Sequence, residues 1–181
     1  MALSKIDAVN FLTGTIPSGN IATSSLAAAA TGKVLQVVET RLTAATASTT
    51  SGTFAAVSGL TASITPSATS SKILIFFCAT LNSGNHAYMN LSRDSGSSYV
   101  GSGVAVSSRP AATFYGYADG NTSRPQSATI LDSPATTSAI TYQAYWRTNA
   151  STAYLNRTYN DVDGGYGGRG VSSITLLEIA G

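Results

Sequence analysis

The sequence is short of charge, cysteine and histidine, and each shortage removes a class of function. Charged residues are 10% of 181, against roughly 25% in ordinary soluble domains. Ten Lys and Arg face eight Asp and Glu, a net charge of +2. So few cations cannot form the clustered basic surface that electrostatic nucleic-acid binding requires. One cysteine excludes an internal disulfide. Cys78 sits within Ile73-Leu74-Ile75-Phe76-Phe77-Cys78-Ala79 and reads as a small buried hydrophobe rather than a reactive thiol. The apolar runs are far shorter than the roughly 20 residues of a membrane-spanning helix. Leu3, Ile6 and Val9 are interrupted by Asp7 and Asn10, so no secretory leader is expected and assembly in a cytoplasm is.

Catalytic constellations are equally sparse. A Ser-His-Asp or Cys-His device needs a histidine, and the single one, His86, lies in Asn82-Ser83-Gly84-Asn85-His86-Ala87, which has hairpin-turn composition. It is expected to be exposed, with three copies around a symmetry axis as its alternative use. Gly165-Tyr166-Gly167-Gly168-Arg169-Gly170 matches G-x-G-x-x-G on paper. The dinucleotide fingerprint must open a helix, and here Val171-Ser172-Ser173-Ile174 continues as a strand. Asp161-Val162-Asp163-Gly164 looks like the start of a calcium loop, but the twelfth position holds Ser172 rather than Glu. The only carboxylate pairs available to a hydrolase, Asp161 with Asp163 and Asp119 with Asp132, sit where turns are formed. No catalytic residue, metal or cofactor is expected.

What is present is hydroxyl, amide and alternation. Residues 1–32 lack strand periodicity. Two short helical stretches, broken by Gly14, Pro17, Gly19 and Asn20, would form an arm that packs on something else. From Lys33 the apolar period becomes two, with turn clusters every 8 to 15 residues, the pattern of an antiparallel all-β sandwich or barrel. Strands are expected at 33–43, 53–56 with 60–65, 72–81, 87–93, 99–106, 111–118, 126–132, 139–148, 152–157 and 171–179. Tyr142, Tyr145 and Trp146 should be buried, in the core or at an interface.

Two strands break the alternation. Residues 73–79 are apolar on both faces, and 174–179 place Ile174 and Leu176 on one face and Leu177 and Ile179 on the other. An antiparallel sheet normally leaves one face to water. At roughly 25 cal/mol per Å², wetting a second apolar face forgoes several kcal/mol, so a homo-oligomer is expected, with Leu74, Phe76, Ile174 and Leu176 at its interface; the alternative is that the N-terminal arm or a long loop covers these faces. Nine tyrosines form the other surplus. Tyr159, Tyr166 and Arg169, on or beside the glycine-rich loop, have the composition of a ligand-binding surface, with a glycan as the candidate ligand.

Several segments carry a resemblance. Gly32-Lys33-Val34-Leu35-Gln36-Val37-Val38, Ile64-Thr65-Pro66-Ser67, Ser70-Ser71-Lys72-Ile73-Leu74-Ile75, Thr113-Phe114-Tyr115-Gly116-Tyr117, Leu131-Asp132-Ser133-Pro134-Ala135-Thr136-Thr137-Ser138 and Tyr154-Leu155-Asn156-Arg157 are similar to a β-domain of tailed-bacteriophage virion proteins. The ending Val171-Ser172-Ser173-Ile174-Thr175-Leu176-Leu177-Glu178-Ile179-Ala180-Gly181 is its most specific mark, and Leu3-Ser4-Lys5-Ile6 is similar to phage fibre N-termini. The resemblance implies a non-enzymatic virion surface protein, a trimeric jelly-roll knob over 33–181. Residues 1–32 would anchor it to other virion proteins. It would be assembled in the host bacterial cytoplasm and serve as tail fibre or head fibre in host attachment, or alternatively as a capsid decoration protein stabilising the shell. Neither a membrane nor a nucleic acid is implied as partner.

Overall fold

Alternating apolar and polar residues bury one face per strand, and the strands then share a single interior. The structure, a computed structural model, describes residues 33–118 and 122–181; the expected arm at 1–32 lies outside them. Nine strands form one antiparallel sheet: β1 (Val34–Leu42), β2 (Ser48–Thr49), β3 (Ala55–Ile64), β4 (Lys72–Ser92), β5 (Phe114–Ala118), β6 (Arg124–Asp132), β7 (Ile140–Thr148), β8 (Ala153–Leu155) and β9 (Ser172–Ile179). No described residue is helical. The all-β expectation holds, and the architecture is a sheet nearly closed into a barrel.

The main path runs β1-β9-β4-β7-β3. Its two ends approach without a ladder: Gln36 Nε2 donates to the Thr65 carbonyl at 2.7 Å, bridging the β1 and β3 sides of the gap. Gly59, at φ +78° and just opposite the Leu42 side chain, permits the irregularity that splits β3 between Ala56 and Thr61. The expected segments 53–56 and 60–65 are therefore one strand with a bulge.

A second pair of expected strands also merges. Residues 72–81 and 87–93 form β4, 21 residues long. The Asn82-Ser83-Gly84-Asn85 cluster does not turn: β8 pairs with Leu81–Ser83, β5 pairs with Ser83 and 87–89, and the irregularity between Ser83 and Ala87 absorbs Gly84 and Asn85 within the strand. The Asn82 amide donates to the Thr122 carbonyl. His86 thus stands on a strand, exposed, with its ring 6.0 Å from Tyr117. The expected strand 99–106 is instead a loop held by the isolated bridges Leu91↔Val100 and Val106↔Arg109. Asn90 pins this loop to β4, accepting from Thr113 N at 2.8 Å and donating to the Ala111 carbonyl at 3.1 Å.

The interior is one cluster. Ile73, Ile75 and Phe77 of β4, Ile174 and Leu176 of β9, Leu60 of β3 and Tyr142 of β7 are all fully buried, with Trp146 nearly so; Tyr145 is half-buried. Glu178 is buried beside them at 1% exposure, and its carboxylate closes the barrel seam. It accepts from Ser67 N at 2.7 Å, Ser67 Oγ at 2.6 Å, Ser71 Oγ at 2.7 Å and Gln36 Nε2 at 2.6 Å. Burial alone would raise its pKa, but these donors outweigh that and hold the carboxyl at about 2.

Candidate functional site

The outward face of β4 changes character along its length, and each stretch meets a different neighbourhood. Odd-numbered residues from Ile73 to Ser83 and from Ala87 to Leu91 point inward. The outward ones read Leu74, Phe76 and Cys78, then Thr80, Asn82 and Gly84, then His86 and Tyr88.

The first stretch lies in the four-stranded region β1-β9-β4-β6. Register places Val37 opposite Leu177, Leu177 opposite Leu74, and Leu74 opposite Leu131. Residues directly opposite share a face, so these four side chains form an unbroken apolar row across four strands. Val37 is 60% and Leu131 58% exposed, and Phe76 in the next row is 44% exposed. Leu74 and Leu177 are half-buried. Phe76 is flanked by Thr175 and Thr129, and Cys78 by Ser173 and Ser127. Among the described residues, the only ion pair on this face, Arg41 with Glu39 at 3.5 Å, lies at the β1 edge. These aliphatic groups form one contiguous exposed patch rather than the scatter of single exposed hydrophobes that any surface carries.

This geometry corrects part of the expected interface. Leu74 and Phe76 do face outward, but Ile174 and Leu176 are fully buried inside the chain, packed with Ile75 and Phe77. The outward residue of β9 in the row is Leu177. Cys78, expected in the core, is half-buried on the same outer face. Val37 and Leu131 were not singled out in the sequence, because only strand register aligns them with Leu74.

The second stretch of β4 is met by the loop between β8 and β9. A cleft of about 330 Å³ opens there, lined by Thr80, Ser123, Pro125, Thr158, Tyr166 and the run Gly168–Gly170. Tyr166, 64% exposed, and Arg169 both belong to it. Tyr159 does not: its ring stacks edge-on to Tyr154 at 5.5 Å and lies over Gly84. The loop is anchored by Asn156, whose left-handed φ of 62° suits asparagine. Asn156 Nδ2 donates to the Leu42 carbonyl at 2.6 Å, and its Oδ1 accepts from Ser172 Oγ at 2.8 Å.

Electrostatics in this loop is internally closed. Asp161 binds Arg157 through Oδ2 at 2.7 Å and Arg169 through Oδ1 at 2.6 Å. The hydrogen bond from Arg157 and the two positive charges hold the Asp161 carboxyl below its ordinary range. Both its oxygens are committed to arginine, so the calcium-like Asp161-Val162-Asp163-Gly164 run presents no pair of free carboxylates. Among the described residues, no group of three His, Cys, Asp or Glu is placed to hold a metal ion.

The other carboxylate candidate, Asp132, accepts from the Tyr142 hydroxyl at 2.7 Å and pairs with Arg93 at 3.2 Å. Burial, reinforced by this bond, pushes the Tyr142 phenol far above its ordinary pKa. With Ser133 N also donating to its Oδ1 at 2.8 Å, Asp132 is an acceptor fixed by three donors. Its possible partner Asp119 lies outside the described residues. No protein-family model matches the chain, and a search of curated proteins finds no match.

Proposed function

We propose that the chain is a non-enzymatic structural module of a tailed-phage virion surface, whose copies assemble into a homotrimer through the outer face of β1-β9-β4-β6. The observation that carries assembly is the row Val37–Leu177–Leu74–Leu131, with Phe76 beside it. Fully burying one large aliphatic side chain contributes roughly 1.5–3 kcal/mol, so a few such residues per copy offset much of the entropy of association. The flanking Thr and Ser positions supply a neutral rim.

The virion placement, the jelly-roll description and the count of three rest on the resemblance in the strand segments and the C-terminal run. A chain with few charges and one continuous core suits a particle component, where durability matters more than turnover. Host attachment as tail fibre or head fibre would then fall to the tyrosine-bearing surfaces outside the interface. Labelling purified particles of the encoding phage with gold-conjugated antibody raised against the folded chain tests the placement. Labels at fixed positions on the particle are expected, and particles free of label and of the polypeptide would contradict it.

A further inference from the structure

The third stretch of β4 carries a feature that the assembly reading does not use. Register sets Tyr115 of β5 opposite Tyr88, and Tyr88 opposite Arg147 of β7, so a tyrosine-tyrosine-arginine row crosses three strands. The two rings lie 5.7 Å apart and 25° from parallel, and the Arg147 guanidinium sits 5.4 Å from the Tyr88 centroid. Tyr115 is 62% exposed. The loop pinned by Asn90 brings Arg109 and Pro110 to the same place, where with Tyr88 and Tyr115 they line a cleft of about 240 Å³.

Charge distinguishes this cleft from the one at the glycine-rich loop. Arg169 and Arg157 share Asp161, whereas neither Arg109 nor Arg147 has a carboxylate within 4.0 Å among the described residues. Arg147 Nε is buried without a hydrogen-bond partner. In a chain with so few charges, two arginines left uncompensated beside stacked tyrosines constitute a site for an anion with a flat apolar face.

We propose that the Tyr88–Arg109–Tyr115–Arg147 surface binds one saccharide unit bearing a carboxylate. The sugar's C–H face would lie on an aromatic ring, and its carboxylate would take the guanidinium donors in a charge-assisted contact. The cleft is smaller than the ~300–1,000 Å³ of drug-sized sites, which fits a single ring. A nucleic-acid strand is disfavoured because its backbone needs a continuous basic groove, and two arginines do not make one.

The test is an array of uronate- and sialate-containing oligosaccharides printed beside their neutral counterparts and short oligonucleotides, probed with the full chain. Binding confined to acidic saccharides is expected. It should weaken at least tenfold in Arg109→Gln and in Tyr115→Ala, and stay unchanged in Lys33→Gln, which removes an exposed cation outside the cleft. Arg109 and Tyr115 are exposed, so a wild-type melting temperature should accompany each loss. Equal binding to neutral sugars, preference for oligonucleotides, absence of acidic-saccharide binding, or indifference to Arg109→Gln would each overturn the assignment. All of these outcomes are independent of where in a particle the chain resides.

Discussion

The two ends of β4 belong to one continuous strand and share one interior, yet they turn opposite chemistry outward. Near Leu74 the outer surface is aliphatic, with Lys72 and the Glu39–Arg41 pair at its margins; near Tyr88 it is aromatic and carries two arginines without carboxylate partners among the described residues. The inner residues, Ile73, Ile75 and Phe77 at one end and Met89 and Leu91 at the other, are equally buried. Stability is therefore distributed along the strand, while surface chemistry is segregated. An aliphatic patch gains most by excluding water against a matching patch. An aromatic-arginine patch gains from a partly polar partner it can orient.

The sharpest way to break this comparison is across the two faces at one end. Phe77→Ala should cost about 3–5 kcal/mol in urea unfolding, since it empties a fully buried site against Phe114. Phe76→Ala, one residue away, should change the stability of the isolated chain by less than about 1 kcal/mol, while weakening self-association in sedimentation. Equal losses of fold stability in the two variants would abolish the distinction between core face and contact face.

Glu178 tests whether the barrel seam beneath the aliphatic row depends on one carboxylate. Glu178→Ala leaves the donors of Ser67, Ser71 and Gln36 unsatisfied and should cost about 2–4 kcal/mol. Its folded pKa is depressed, from 4.5 to about 2. Its contribution is thus complete above pH 4.5 and is lost as pH falls from there toward 2. Unfolding free energy measured across that window should drop in the wild type, with the Glu178 share of the slope missing in the variant.

At the aromatic end the effect on folding should be smallest. Arg147→Ala removes a cation-aromatic contact with Tyr88 and should cost about 0.5–1 kcal/mol by thermal melting. A loss several times larger would make Arg147 a structural prop and not part of a ligand surface.

Much of this was legible in the residues. Period-two patterning from Lys33 gave the all-β class, and the doubly apolar run 73–79 located the strand whose outer face is exposed. One polar tetrad misled: Asn82-Ser83-Gly84-Asn85 has turn composition, but β8 takes up Asn82 and Ser83 and β5 takes up Ser83, and turn composition cannot anticipate partners as distant in sequence as Ala118 and Tyr154. Register was invisible for the same reason. Ile174 and Leu176 were placed at the surface because hydrophobicity marks both faces of β9 alike, and only pairing with Ile75 and Phe77 shows which face is inward. The role of Glu178 has no local signal, since its four donors come from Gln36, Ser67 and Ser71, more than 100 residues away in the chain. The Tyr88–Arg147 and Tyr88–Tyr115 pairs likewise exist only through register.

Mass in solution bears most directly on the aliphatic end. By multi-angle light scattering at micromolar concentration, the wild-type chain should elute as a single species of three times 18.4 kDa. Leu74→Glu, which sets a charge in the middle of the row, should elute as one chain with the wild-type β-sheet spectrum. A wild-type protein that remains at 18.4 kDa under those conditions would contradict the claim that sister copies cover this face.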